Sequence, residues 1–141
     1  TASFSYSDVK YKALDGIERR SDWDNRFVVN INGGYMLGKS WEFSAKFRLA
    51  GGRPYTPINP VDGSVNYDLY NTEKLPVYHR LDIRAEKKWI FEAWTLTTYI
   101  DIQNIYNRGN VYEYRWDPFK REVEVNKNLG ILPTIGVSAE F

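Results

Sequence analysis

The chain has no cysteine, a single histidine, and no apolar run approaching the roughly 20 residues of a membrane-spanning helix. Without cysteine there are no disulfides and no thiolate chemistry, and the redox compartment stays open. One histidine argues against a histidine-based metal site or catalytic triad. The formal net charge of +1 gives no reason to expect nucleic acid or an anionic surface as partner. No helix-period stretch, no low-complexity linker and no repeat beyond a strand rhythm interrupts the chain. Phosphate loops, nucleophile elbows and cysteine clusters are missing too, so no catalytic residue, cofactor or metal is expected, and the chain reads as a non-enzyme. It carries no signal peptide and opens at Thr1 directly into a strand pattern. Either a leader has been removed, or this is a piece of something longer.

What is abundant is aromatic. Aromatics make up 16% of the 141 residues, with 11 Tyr, 7 Phe and 5 Trp. A mean hydropathy of −0.54 does not exclude a membrane protein, because barrel strands are apolar only at every second residue. The last ten residues alternate without a break, Pro133, Ile135, Val137, Ala139 and Phe141 against Thr134, Gly136, Ser138 and Glu140. A period of two marks a β-strand with one greasy and one wet face. The same reading predicts strands over 2–13, 26–37, 41–50, 78–89, 94–105 and 131–141, with a phase slip at Asp8. Between them lie a polar loop, Asp15 to Asn25, and tight turns at Gly38-Lys39-Ser40 and Glu92-Ala93. Gly51 to Val77 is irregular, because Pro54, Pro57, Pro60 and Pro76 exclude a regular central strand or helix. In the last long segment, Tyr106 to Gly130, Val111 to Trp116 and Glu122 to Asn126 are expected to pair as a small hairpin around Asp117-Pro118.

The six strands are joined by connections that alternate long and short. Bacterial outer-membrane barrels have short periplasmic turns and longer outer loops, with strands of about ten residues. Both short turns fall on the side where the terminal strand ends. Tyr35, Trp41, Trp89, Trp94 and Phe141 all belong to that edge, where a periplasmic aromatic girdle would lie. The polar faces carry charges of alternating sign: Arg80, Asp82, Arg84 and Glu86, with Lys46, Arg48 and Asp101 on neighbouring strands. These are expected to knit together along a lumen wall. Alternation alone does not separate a lipid-facing stripe from one packed into a soluble core. Six strands do not close a transmembrane barrel, since the smallest bacterial examples have eight. Either the 111–126 hairpin supplies two more, or the missing strands lie N-terminal to Thr1.

Thr134, Gly136, Ala139 and Phe141 resemble the β-signal of outer-membrane barrels, the terminal strand read by the barrel-assembly machinery. Further stretches extend the likeness: Gly52-Arg53-Pro54-Tyr55-Thr56-Pro57, Leu75-Pro76-Val77-Tyr78-His79-Arg80-Leu81-Asp82, and Asp101-Ile102-Gln103-Asn104-Ile105-Tyr106-Asn107-Arg108. Taken in order, they make the chain resemble the C-terminal part of TonB-dependent outer-membrane receptors. That resemblance implies an all-β fold, antiparallel up-and-down transmembrane barrel strands that form the C-terminal portion of a 22-stranded plugged barrel. It implies a bacterial outer-membrane location and uptake of a scarce ligand of the siderophore, cobalamin or glycan class. Its partners would be membrane lipid, the assembly machinery, the rest of the receptor with its plug, and through that TonB. The plug and the TonB-contacting segment precede the barrel in the family and do not fit within these residues, so this chain is not expected to transport anything unaided.

Other residues invite chemistry and receive plainer readings. His79 beside Arg80 and Asp82 lacks a nucleophile partner and reads as structural or interfacial. Glu18, Asp22 and Asp24 lack calcium-loop spacing and read as solvated loop charges. Pro54-Tyr55-Thr56-Pro57 reads as a rigid loop rather than a polyproline ligand. Tyr55, Tyr67, Tyr70, Tyr112, Tyr114 and Trp116 crowd the outer segments, where ligand contact and loop self-packing both fit. Two further architectures stay open: a complete eight-stranded barrel serving as adhesin or anchor, and a soluble β-barrel or sandwich that binds a small ligand.

Overall fold

Alternation of side chains becomes a ladder once neighbouring strands register their apolar residues on one face. In the computed structural model, which describes residues 1–141, twelve strands form. They are β1 Ala2–Tyr6, β2 Lys10–Lys12, β3 Glu18–Arg20, β4 Phe27–Leu37, β5 Trp41–Ala50, β6 Pro54–Tyr55, β7 Glu73–Lys74, β8 Tyr78–Ile90, β9 Thr95–Gln103, β10 Val111–Asp117, β11 Glu122–Lys127 and β12 Leu132–Glu140. Six build one antiparallel sheet in the order β1-β4-β5-β8-β9-β12, and β1 and β12 are its unpaired edges. The fold is therefore all-β and antiparallel, and the sheet is open.

The other six strands pair among themselves as three small hairpins, β2 with β3, β6 with β7 and β10 with β11. Each hairpin lies within one of the three long connections, all of which leave the same end of the sheet. At the opposite end β4 turns into β5 through Gly38, whose φ of +65 is the left-handed conformation a tight turn requires. There β8 turns into β9, closed by the Phe91 N–H donating to the Trp94 carbonyl at 2.9 Å.

Two expectations change. The strand anticipated over 2–13 is two strands in two different sheets, and the loop expected over Asp15 to Asn25 contains β3. The β1 ladder continues to Ser7, whose N–H donates to the Arg26 carbonyl at 2.8 Å, and ends there because Arg26 has a φ of +64. The chain then leaves the sheet at the phase slip. β2 and β3 are short and charged, and they gain ion pairs by pairing, Lys10 with Glu18 at 2.9 Å and Arg19 with Asp15 at 2.7 Å. The 111–126 hairpin forms, but as a separate two-stranded sheet, while β12 pairs directly with β9 from Leu132↔Gln103 to Glu140↔Thr95. It adds no strands to the large sheet, which removes the eight-stranded closed barrel.

The register puts Val29, Ile31 and Tyr35 of β4 beside Phe43 and Phe47 of β5, then Leu81 and Ile83 of β8, Ile100 and Ile102 of β9, and Ile135 of β12. Nothing in the chain covers this face. Ala50, Leu75 and Pro54 are the only buried residues with apolar side chains, whereas Phe4, Ile135 and Val137 are 68%, 77% and 67% exposed. The larger buried side chains are mostly polar: Asp24, Asn71, Asn104 and Asn110, all at the long-connection end.

Candidate functional site

The two faces and two ends of the sheet carry different chemistry. On the apolar face, at the short-turn end, all five expected girdle residues come to one rim. Trp94 stacks on Phe141 with ring centroids 5.9 Å apart and on Phe91 at 4.5 Å, and Trp41 stacks on Phe43 at 5.7 Å. The Lys87 ammonium lies 3.6 Å from the Trp89 ring and 5.1 Å from the Trp41 ring. Tyr35 stands opposite Phe43 and is exposed. Phe43 and Lys87 join this rim two residues from Trp41 and Trp89 on the same strands, Phe91 lies across the turn from Trp94, and the register adds Lys87 opposite Trp41. Further in, Gly33 and the single methyl groups of Ala45 and Ala85 leave a hollow of about 620 Å³ between Tyr35, Phe43, Ile100 and Ile102.

The opposite face is a polar wall. Thr134, Gly136, Ser138, Tyr99, Asp101, Arg80, Asp82, Arg84, Glu86, Lys46 and Arg48 share it, around a trough of about 750 Å³. The anticipated charge network forms only along β8. Arg80 pairs with Asp82 at 2.8 Å and Arg84 with Glu86 at 2.7 Å, each two residues apart on the same strand. Across strands the register is mixed. Arg48 faces Arg80 and Glu42 faces Glu86, like charge against like, whereas Lys46 faces Asp82 and Arg84 faces Asp101, opposite charges that do not close to an ion pair. Arg84 instead places its guanidinium 3.8 Å from the centre of the Tyr99 ring, and Asp101 keeps a buried carboxylate oxygen without a hydrogen-bond partner.

At the long-connection end, buried amides hold the segments down. The Asn110 side chain donates to the His79 carbonyl at 2.9 Å and accepts from the His79 N–H at 3.1 Å, acting as a bridge of ladder. Asn104 accepts from the Arg108 N–H at 3.1 Å and donates to the Arg108 carbonyl at 2.9 Å, while its own N–H donates to Asp82 at 2.9 Å. Asn104 and Asn107 have φ of +53 and +55, which asparagine tolerates better than branched residues. The His79 ring is structural here, its Nδ1 hydrogen-bonded to the Tyr106 hydroxyl at 2.7 Å.

Asp24 corrects the reading of the loop acids as solvated. It is fully buried among three cations, with Arg20 at 2.9 Å, Arg26 at 3.4 Å and Lys74 at 4.0 Å. Burial would raise its pKa, but the Arg20 hydrogen bond, the Val9 N–H and the charges of Lys74 and Arg26 outweigh burial and lower it. Glu18 pairs with Lys10, and Asp22 accepts from the Tyr70 hydroxyl at 2.9 Å. That bond, with burial, pushes the Tyr70 phenol up to about 12.

The six loop aromatics divide. Tyr55 and Tyr114 pack on each other at 5.0 Å, and burial raises the Tyr55 pKa. The Trp116 ring fills the space over Gly63, and Tyr70 is tied to Asp22. Tyr67 stands free in solvent. Only Tyr112 lines the larger cavity at this end, about 480 Å³, which opens over Arg48 and Arg53. No protein-family model, curated protein or solved structure matches the chain.

Proposed function

We propose that this chain is the C-terminal strand set of a bacterial outer-membrane β-barrel of the TonB-dependent receptor kind, serving uptake of a scarce ligand of the siderophore, cobalamin or glycan class. The observation that carries the reading is the bare apolar face. Covering Phe4, Ile31, Tyr35, Phe43, Ile100, Ile135 and Val137 is worth at most roughly 10–20 kcal/mol, as much as the whole stability of an ordinary domain. A soluble fold would spend that on its own core, whereas acyl chains supply the cover in a membrane.

Other features agree. β4, β5, β8, β9 and β12 have 11, 10, 13, 9 and 9 residues, the length a tilted crossing strand needs. The short turns and aromatic rings share one rim, which is the periplasmic edge in this reading, and the long connections share the other. An open edge in lipid leaves backbone groups unsatisfied at several kcal/mol each, so β1 and β12 pair with further strands of the same receptor. The polar wall then faces the lumen, where the plug lies, and TonB acts through that plug. The terminal strand, with Thr134, Gly136, Ala139 and Phe141, is the part offered to the assembly machinery.

Fractionation of the native source tests this directly. The protein containing this chain should sediment with outer membranes, need detergent for extraction, and migrate differently on gels with and without heating. Recovery in the soluble fraction would end the proposal.

A further inference from the structure

The cavity at the long-connection end holds cations with no anions to meet them. After β5 the backbone passes through Gly51 and Gly52, where a Cβ would strike the Asn25 and Leu75 carbonyls, so neither position tolerates a side chain. Arg53 emerges just beyond, steadied by its Nη2 donating to the Tyr112 carbonyl at 3.1 Å. Arg48 points from the polar face of β5 between Asn30 and Arg80. Neither arginine has an acidic group within ion-pair distance. The acids nearby are engaged elsewhere: Asp82 by Arg80, Asp24 by Arg20, Asp22 by Tyr70 and Glu113 by Asn126. Trp23, Tyr78 and Tyr112 line it together with the apolar Ala50, Leu75, Pro76 and Val111, and Trp23 is 72% exposed.

We propose that this cavity of about 480 Å³ binds a small organic anion carrying an aromatic ring. The guanidinium groups of Arg48 and Arg53 take its anionic oxygens in forked hydrogen bonds, and Trp23, Tyr78 and Tyr112 take its plane. A neutral sugar would stack on the same rings but leave both cations unanswered. The volume lies within the range of small-molecule sites. The inference rests on the uptake reading for what becomes of the ligand, which narrows the cargo to an anion, but the binding itself needs no membrane.

Calorimetric titration of the complete protein containing this chain, with salicylate, citrate and maltose as probes, tests it. Salicylate should bind most tightly, citrate more weakly because it has no ring, and maltose not measurably. Arg48→Gln and Arg53→Gln should each weaken salicylate binding about tenfold to a hundredfold. Raising salt should weaken salicylate binding in the parent protein, a readout that does not depend on any variant folding. Trp23→Ala should lower affinity for salicylate and leave citrate unchanged. Absence of salicylate binding, equal binding of maltose, or full affinity in the double arginine variant would overturn the proposal. A protein soluble without detergent that still binds salicylate would remove the membrane reading and leave this one standing.

Discussion

The Tyr99 ring occupies the space above Gly136, its direct partner in the β9–β12 ladder. A Cβ at position 136 would fall within the ring, so glycine here is the seat of a neighbour's side chain rather than a weak point of the strand. The Arg84 guanidinium stacks on the same ring from β8, and three adjacent strands are thereby tied on the polar face. An aromatic laid across a sheet glycine restores packing that the glycine lacks and fixes the register. The glycine of the β-signal-like strand thus has a structural reason of its own.

Gly136→Val should displace the ring, and Tyr99→Ala should leave the glycine bare. Each should lower unfolding free energy by about 1–2 kcal/mol, read from urea midpoints. The two changes act on one contact, so the double variant should lose clearly less than the sum. Strict additivity would mean that the ring and the glycine are energetically independent.

The two faces should respond differently to charge. Phe43→Arg and Ile100→Arg should each cost roughly 2–4 kcal/mol if the apolar face lies at the bilayer midplane, and Ser44→Arg on the polar face should cost less. Spin labels at 43, 45 and 47 separate lipid from a protein core. Quenching by a lipid-soluble relaxation agent at 43, 45 and 47 is the expected result, and protection from it there would reverse the assignment of faces.

Asn104 is nearly fully buried and its side chain both donates and accepts. Asn104→Ala leaves two carbonyls and an N–H without partners, at about 1–3 kcal/mol each where water does not reach them. Amide exchange should quicken across residues 104–131 and stay unchanged in β4 and β5. Uniform quickening over the whole sheet would show that the amide is no local clamp.

Two loop groups set opposite pH limits. The Tyr70 phenol is raised to about 12 by its bond to Asp22, so its contribution is complete below the ordinary value of 10.0 and lost as pH climbs through about 12. Phenolate absorbance should show a latest-titrating tyrosine, near 12, that disappears in Tyr70→Phe and moves down in Asp22→Asn. Asp24 is lowered below 3.8, so its contribution is present above that value and fades as pH falls through the depressed one. An acid-active protease should cut residues 7–26 only at the acid extreme, whereas in Asp24→Asn a protease active at neutral pH should cut there as well.

Much of the fold was legible in the sequence because strand parity is local. A period of two follows from backbone geometry, so the faces of β4, β5, β8, β9 and β12 and their near ends could be read from order alone. The aromatic rim was legible for the same reason, since strand ends and parity place Trp41, Trp89, Trp94 and Phe141 together. The break after Tyr6 showed only as a slip in phase, and it took the left-handed Arg26 and the charge pairs of β2 and β3 to turn it into a separate hairpin.

What tertiary structure alone decided depends on register between segments far apart in the chain. Lys46, Arg48 and Asp101 read as partners in a charge network, yet a shift of no more than one pair along β5, β8 and β9 determines whether opposite or like charges meet. The register found sets Arg48 against Arg80 and Glu42 against Glu86, but Lys46 against Asp82 and Arg84 against Asp101. Asp24, Asn104 and Asn110 carry no sequence mark of burial, because their burial comes from carbonyls and cations brought in by other loops. Side-chain alternation is written into each strand, whereas the choice of neighbour is made by packing, and only packing leaves Arg48 and Arg53 without a counter-charge.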